Sequence, residues 1–271
     1  MSAFLYNAAL QWKLDIRSRS LLVTCYVVPL IFFMLMGGIF TSVMPGMKDT
    51  LIQSMIVMGI SMGAFIGLPP SLTETYGTDI IKVYKANRIP LYLGLAAMFL
   101  SAFVHLMIMC VLIVLLAPII FDASMPEDLP SFISALAVFI AASLSIGSIL
   151  GLSVKNQAKL TTTSQLVFLP SIMLSGIMFP VNLLPKALEM TGSIFPASWG
   201  YKLMLDDGFK WGNLWYLIFM FFSEAFVCGF ILVILQREGR HVIRRRAVTH
   251  PSCVPHYLHI PVTSSPVNLR P

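Results

Sequence analysis

Charged residues are scarce in this sequence, and six long stretches contain no lysine, arginine or aspartate. Only 11% of the residues are charged, whereas a soluble domain has about 25%. The six stretches are residues 20–47, 50–73, 89–121, 129–154, 160–185 and 211–236. A helix rising about 1.5 Å per residue needs roughly 20 apolar residues to cross a bilayer, and every stretch is longer than that. The scarcity of charge therefore excludes a water-soluble core and indicates a polytopic membrane protein.

The motifs of several kinds of site are also absent. No glycine is followed by lysine, so there is no Walker A loop for phosphate, and neither Gly-x-Gly-x-x-Gly nor His-Glu-x-x-His occurs. The four cysteines form no Cys-x-x-Cys pair, which excludes the usual zinc and disulfide frameworks. A membrane-embedded enzyme is disfavoured because no cluster of His, Asp or Glu converges within the stretches. We expect no enzymatic activity, no metal and no cofactor in this chain.

The predicted fold is all-α, because helices satisfy their own backbone hydrogen bonds in lipid and the alternating pattern of a membrane barrel is absent. We predict six transmembrane helices, an N-terminal interfacial helix, and short re-entrant helices before the last span. The predicted spans are residues 21–43, 51–73, 90–119, 131–154, 161–181 and 213–236.

The distribution of lysine and arginine predicts the orientation. With six spans and the N-terminus inside, fourteen of these residues lie in cytoplasmic segments and four lie outside. Cytoplasmic loops of membrane proteins carry such an excess. We therefore predict a multi-pass protein of the plasma (inner) membrane with both termini in the cytoplasm. The basic residues then contact lipid headgroups, and no nucleic acid partner is expected.

Residues 1–19 are predicted to form a helix in the membrane interface. Leu5, Ala9, Trp12 and Ile16 fall on one face at helical spacing, with Lys13 and Arg17 beside them toward water. The alternative is a longer first span. A cleaved signal peptide is not expected, because the basic residues follow the apolar ones.

Small residues within the spans predict close helix contacts. They recur every fourth residue at Gly59, Gly63 and Gly67 in the second span, and at Gly147 and Gly151 in the fourth.

The C-terminal segment 241–271 is predicted to be a basic, disordered cytoplasmic tail, because it is rich in proline. His250, Cys253, His256 and His259 are spaced three apart and could bind a metal ion, but the prolines among them oppose a fixed geometry.

Two ionisable residues lie within the predicted spans, His105 and Glu224. Ion relays use such groups, so a secondary transporter driven by an ion gradient is the alternative function. Glu224 is the candidate for the substrate path. It could equally hold the sixth span against its neighbour through a hydrogen bond.

Two local patterns resemble those of a known family. The first is Glu74-Thr75-Tyr76-Gly77-Thr78, followed by Ile80, Ile81 and Arg88-Ile89-Pro90. The second is Ser175-Gly176-Ile177-Met178-Phe179-Pro180, followed by Leu184-Pro185 and Phe195-Pro196. Together with the order of the predicted helices, they resemble the membrane subunit of a type 2 ABC (ATP-binding cassette) transporter over residues 1–240.

The resemblance implies a permease that dimerises and binds a separate ABC ATP-binding subunit, which holds ATP and magnesium. The loop after the second span would then be the coupling region that contacts this partner. Its implied contact residues are Thr78, Ile80, Lys82, Val83 and Tyr84. The implied outer re-entrant motif comprises Gly176, Phe179, Pro180, Pro185 and Pro196. The implied function is export of a small amphipathic molecule, such as a drug, a natural product or a lipid-like compound.

Overall fold

The computed structural model describes residues 3–77, 90–126, 128–178, 185–205 and 211–249, and in these ranges it contains helices and loops but no strand. The all-α prediction is confirmed. The helices are Ala3–Arg17, Arg19–Leu22, Val28–Val43, Leu51–Met62, Leu68–Gly77, Leu91–Phe121, Leu129–Ser153, Gln157–Leu174, Lys186–Gly192, Pro196–Leu205 and Trp211–Thr249. Wider π-helical turns occur at Val23–Val27 and Gly63–Gly67, and a 3-10 turn at Pro45–Thr50.

The chain divides by its contacts into two compact units, Met1–Val233 and Ile234–Pro271. The first unit contains the helices from Ala3 up to Val233. In the second unit, the described residues belong to the end of the helix Trp211–Thr249. The predicted domain boundary after residue 240 stays a prediction, and the tail residues 250–271 lie outside the described residues.

Five described helical segments are long and apolar enough to cross a membrane. They are Val23–Val43 (span 1), Gly46–Gly77 (span 2), Leu91–Phe121 (span 3), Leu129–Ser153 (span 4) and Gly212–Gln236 (the last span). The predicted fifth span, 161–181, corresponds instead to a helix of 18 residues, Gln157–Leu174, which we call the fifth helix. At 1.5 Å per residue it is about 27 Å long, slightly short of a hydrocarbon core of about 30 Å. The count of six spans stays a prediction.

Span 2 lies at the centre of the first unit. In its most apolar window 83% of the residues are buried, whereas the last span has 17%. Residues 51–61 are buried without interruption, because spans 1, 3 and 4 and the helix Pro196–Leu205 all pack around them. A helix buried on every side is mostly apolar all round, and in this stretch the buried polar exceptions are Gln53, Ser54 and Ser61.

The glycines of spans 2 and 4 lie where helices approach closely. A Cβ atom added to Gly147 would clash with the backbone oxygen of Ala64, and one added to Gly151 would lie 2.9 Å from the backbone oxygen of Pro69. Span 4 therefore contacts the backbone of span 2 directly. Two further glycines of span 2, Gly59 and Gly63, face side chains of span 3, those of Met109 and Leu106.

Spans 1 and 2 each contain a π-helical turn that precedes a proline. The turn Val23–Val27 comes just before Pro29, and the turn Gly63–Gly67 just before Pro69. Proline has no N–H, and its ring clashes with the carbonyl four residues earlier, so a wider turn relieves the clash. The two turns contact each other. Both spans therefore depart from regular helix at one shared place.

The N-terminal helix, Ala3–Arg17, packs against the first half of span 3. The orientation of its apolar face toward the membrane stays a prediction. Trp12 packs against span 3, whereas Ala9 and Ile16 are exposed. The side chain of Leu5 lies outside the described residues.

The face of the N-terminal helix that is turned to the protein is polar instead. It carries Asn7, Gln11 and Asp15, while Leu10 and Leu14 point outward and are exposed. Polar side chains next to lipid find hydrogen-bond partners only within the protein, so this inverted arrangement is expected of a helix beside lipid. The position of the helix in the membrane interface stays a prediction.

Two short helices precede the last span. We call Lys186–Gly192 the first outer helix and Pro196–Leu205 the second outer helix. The second outer helix is largely buried and packs against spans 2 and 4, where Gly200 lies against the ring of Phe139. Trp199 stacks on Tyr216 of the last span, with ring centroids 4.2 Å apart. Short helices were predicted here, and their entry into the membrane stays a prediction.

Candidate functional site

The predicted coupling segment lies outside the described residues, and so do its implied contact residues Thr78, Ile80, Lys82, Val83 and Tyr84. Both of its ends are described. Tyr76, at the end of span 2, donates a hydrogen bond from its hydroxyl to the backbone oxygen of Leu91, at the start of span 3, at 2.6 Å. This buried bond joins the two spans at the place where the segment leaves one and enters the other.

A second connection ties the same end of span 2 to span 4. The Thr73 hydroxyl lies 2.9 Å from the backbone oxygen of Gly151 and 3.1 Å from that of Val154. The two carbonyls lie at the end of span 4, where a helix has no further N–H groups to donate to its last carbonyls. The threonine hydroxyl therefore donates to groups that lack a partner within the helix. Together, the bonds of Tyr76 and Thr73 link spans 2, 3 and 4 around the ends of the coupling segment.

A buried polar cluster lies between the N-terminal helix and span 3. Asp15, which is 7% exposed, accepts hydrogen bonds from the amide of Gln11 at 2.8 Å and from the hydroxyl of Ser101 at 2.5 Å. A third polar contact, from the Asn7 amide to the backbone oxygen of Leu93, lies at 3.3 Å. The N-terminal helix is thus held to span 3 by hydrogen bonds.

His105 of span 3 belongs to the same contact. Its Nδ1 atom lies 2.7 Å from the hydroxyl of Tyr26 in span 1, and the ring of Trp12 stacks on it with centroids 4.3 Å apart. Its Nε2 atom is buried and has no hydrogen-bond partner among the described residues. The imidazole therefore connects the N-terminal helix, span 1 and span 3.

A small cavity of about 20 Å³ adjoins this cluster. It lies between the N-terminal helix and spans 1, 2 and 3, beside the two π-helical turns. Its walls include Asp15, Gln11 and Ser71 together with apolar side chains and the backbone of Gly63 and Gly67. A cavity of this size has room for about one water molecule.

Glu224 lies at the middle of the last span, on the face that carries the buried Leu217 and Cys228. The Cys228 thiol contacts the backbone oxygen of Ser145 in span 4 at 3.7 Å, which brings this face against span 4. The Oε2 atom of Glu224 is buried and has no hydrogen-bond partner among the described residues. The Oε2 side of the carboxyl group is therefore turned toward protein.

At the opposite end of the spans, two polar contacts connect the loops. Lys48 pairs with Asp122 at 2.8 Å, and Ser124 donates a hydrogen bond to Asp49 at 2.7 Å. The hydrogen bond and the charge of Lys48 hold the pKa of the Asp122 carboxyl below its usual value. The pair stabilises the fold above the ordinary pKa of an aspartate, and this contribution disappears as the pH falls. Since Asp122 is almost fully exposed, the effect is small.

The outer motif is only partly described. Gly176 adopts φ 90°, a left-handed conformation that favours glycine, directly after the fifth helix. Pro185 and Pro196 stand at the starts of the two outer helices, and Pro196 is buried. Phe179 and Pro180 lie outside the described residues, as does the run from His250 to His259. Among the described residues, no group of three or more His, Cys, Asp or Glu could hold a metal ion.

Sequence reasoning missed Asp15 as a site residue. Asp15 stands between Lys13 and Arg17 in a helix that was expected to face water with its charges, so nothing in the local pattern predicts its burial. A usable signal was the spacing of Asn7, Gln11 and Asp15, which places three polar side chains on one helical face.

Comparison with protein families gives one match. Residues 2–207 match the family described as ABC-2 type transporter. No curated protein and no solved structure matches the chain.

Proposed function

The chain belongs to the ABC-2 type transporter family, and from that premise we propose that it is the membrane subunit of an ATP-driven exporter. Permeases of this family work with a separate ABC ATP-binding subunit, which would bind ATP and magnesium. The proposed cargo is a small amphipathic molecule, such as a drug, a natural product or a lipid-like compound. It would cross the plasma membrane outward.

The observation that supports this proposal best is the anchoring of the coupling segment. Tyr76 and Thr73 bind span 2 to spans 3 and 4 at the two ends of residues 78–89. A force applied to this segment by a partner protein would therefore reach three spans together. Because the sequence contains no Walker A loop, a partner of this kind would have to supply the energy from ATP.

The proposal is tested by transport measurements in liposomes. The purified chain should move no amphipathic fluorescent probe by itself, and co-reconstitution with its ABC ATP-binding subunit should give transport that stops when ATP is withheld. A subunit with a defective Walker A lysine is the control. Robust transport by the chain alone, driven by a proton or sodium gradient, would contradict the proposal and favour a secondary transporter.

The fifth helix is proposed to face a second copy of the chain across the transport path. Its exposed side carries Thr161, Thr162 and Gln165 next to the exposed Leu166 and Leu169. Lipid disfavours a glutamine amide, whereas a facing helix or a wet path satisfies it.

Disulfide cross-linking tests this arrangement. In a background without native cysteines, Gln165→Cys should form a covalent dimer on oxidation, because symmetry places the two residues near each other. Phe226→Cys in the last span is the matched control, since that side chain is 77% exposed and is expected to face lipid. Cross-linking at residue 226 and none at residue 165 would contradict the proposed interface.

Both termini are proposed to lie in the cytoplasm, supported by the excess of basic residues on one side. Labelling of a cysteine placed at Lys85 by an impermeant thiol reagent in intact cells would overturn this orientation.

A further inference from the structure

Asp15 has a buried carboxyl group that forms no ion pair with a described lysine or arginine. Its side chain is 7% exposed, and no described lysine or arginine lies within ion-pair distance of it. Its two hydrogen bonds come from neutral donors, the Gln11 amide and the Ser101 hydroxyl. A carboxylate has about four sites that accept hydrogen bonds, so about half of this capacity remains. A buried charge is retained at a cost unless a partner of opposite charge completes it.

The cavity beside Asp15 offers a place for such a partner. Three of its lining side chains can accept hydrogen bonds, namely Asp15, Gln11 and Ser71. The amide nitrogen of Gln11 is already directed at Asp15, which leaves the amide oxygen for another donor. The remaining lining side chains and glycines are apolar: Leu21, Cys25, Gly63, Gly67, Leu68, Met98, Ala102 and Leu106.

This set of groups fits an ammonium ion attached to carbon. A primary ammonium group has three N–H donors in a compact charge, and three of the residues that line the cavity have side chains that can accept a hydrogen bond, one of them the carboxyl group of Asp15. Calcium and magnesium take six or more oxygen ligands, which is more than these three side chains supply. The apolar part of the wall suits the carbon next to the nitrogen. A volume of about 20 Å³ has room for about one water molecule, so it admits the ammonium nitrogen but excludes a bulky quaternary amine.

We propose that Asp15, Gln11 and Ser71 form a binding site for a primary ammonium group between the N-terminal helix and spans 1, 2 and 3. The ammonium can come from the headgroup of an amine phospholipid or from a soluble amine. The site is formed by residues of this chain alone, so the proposal does not depend on ATP-driven transport. Occupation would tie the N-terminal helix to span 2, because Gln11 and Asp15 come from the first element and Ser71 from the second.

The fluorescence of Trp12 provides the measurement, since its ring stacks on His105 beside the cluster. In the purified full chain with Trp199, Trp211 and Trp215 changed to Phe, methylammonium chloride should produce a saturable change in emission. Tetramethylammonium chloride at equal ionic strength should produce none, because it is too large and has no N–H. In Asp15→Asn the half-saturating concentration should rise at least tenfold, and in Ser71→Ala it should rise by a smaller factor.

Two further variants keep the test decisive. Asp122→Asn makes the same change at an exposed carboxylate of the opposite loops and should leave binding unchanged. If Asp15→Asn does not fold, Ala102→Leu fills the cavity while keeping the carboxylate and should abolish the methylammonium response. An unchanged response in both Asp15→Asn and Ala102→Leu, an equal response to tetramethylammonium, or no saturable response in the parent chain would each overturn the site.

Nanodiscs identify the source of the ammonium. If an amine phospholipid fills the site, discs of phosphatidylethanolamine should weaken the methylammonium response relative to discs of phosphatidylcholine, and this difference should vanish in Asp15→Asn. Equal responses in the two lipids, with Asp15 still required, support a soluble amine as the occupant.

Discussion

Replacing Lys82 and Tyr84 together by alanine is expected to lower ATP-driven transport at least tenfold while leaving membrane insertion and thermal stability unchanged. Both residues lie on the loop that the family resemblance assigns to contact with the ATP-binding subunit. A loss of contact there removes the energy input of a chain that has no phosphate-binding loop of its own. The hydrogen bond between Tyr76 and Leu91 does not involve the partner. Loss of the contact with the partner should therefore stop the driven movement of spans 2 and 3 without unfolding them.

Lys85→Ala provides the control for this experiment. It removes a positive charge from the same loop at a position that is not among the predicted contacts, and it should keep most of the transport. The measurement compares probe transport with ATP hydrolysis in the same proteoliposomes. Full transport by the double variant, or an equal loss in Lys85→Ala, would show that residues 82 and 84 are not the coupling contacts.

The membrane-spanning elements were predictable because they depend on composition alone. A stretch of 20 or more residues without charge has few alternatives to a spanning helix, and five of the six predicted spans coincide with long apolar helices. The fifth helix differs because it is shorter, at 18 residues, and its first two turns carry Lys159 and three threonines. A search for stretches without charged residues does not detect a helix that is too short or that has uncharged polar residues near its end.

The π-helical turns were in part readable from the sequence, since Pro29 and Pro69 mark where a regular helix is disturbed. Their contact was not readable, because the pairing of Gly67 with Cys25 depends on how spans 1 and 2 pack. The same holds for the second outer helix. A short helix was predicted there, but its packing was not, because the hydrogen bond between Ser54 and Tyr201 joins residues 147 positions apart.

The burial of the polar face of the N-terminal helix was not predicted, and the reason is physical. The expectation placed Lys13 and Arg17 toward water and gave Asp15 no partner, whereas in the structure Asp15 accepts hydrogen bonds from Gln11 of its own helix and from Ser101 of span 3. Beside lipid, the protein is the more polar surrounding, so the usual rule reverses. Membrane helices with three polar residues at spacings of four therefore merit an inward assignment before an outward one.

Glu224→Gln is expected to alter which molecules are transported while preserving folding. A charge near the bilayer centre costs at least about 2.5 kcal/mol on insertion scales, and Glu224 lies at the middle of the last span. Its face is turned toward span 4, yet its Oε2 atom has no partner among the described residues. A role of Glu224 in the substrate path stays a prediction, and the alternative is that its carboxyl holds the last span against a neighbour.

The experiment measures transport rates of a cationic and a neutral amphipathic probe in proteoliposomes containing the ATP-binding subunit. In Glu224→Gln the rate for the cationic probe should fall about tenfold, because the amide keeps the shape and loses the charge, while the neutral probe is largely unaffected. Glu189→Gln, at an exposed carboxylate of the first outer helix, is the matched control and should change neither rate. Unchanged rates for both probes in Glu224→Gln, with assembly lost only in Glu224→Leu, would leave Glu224 a purely structural role.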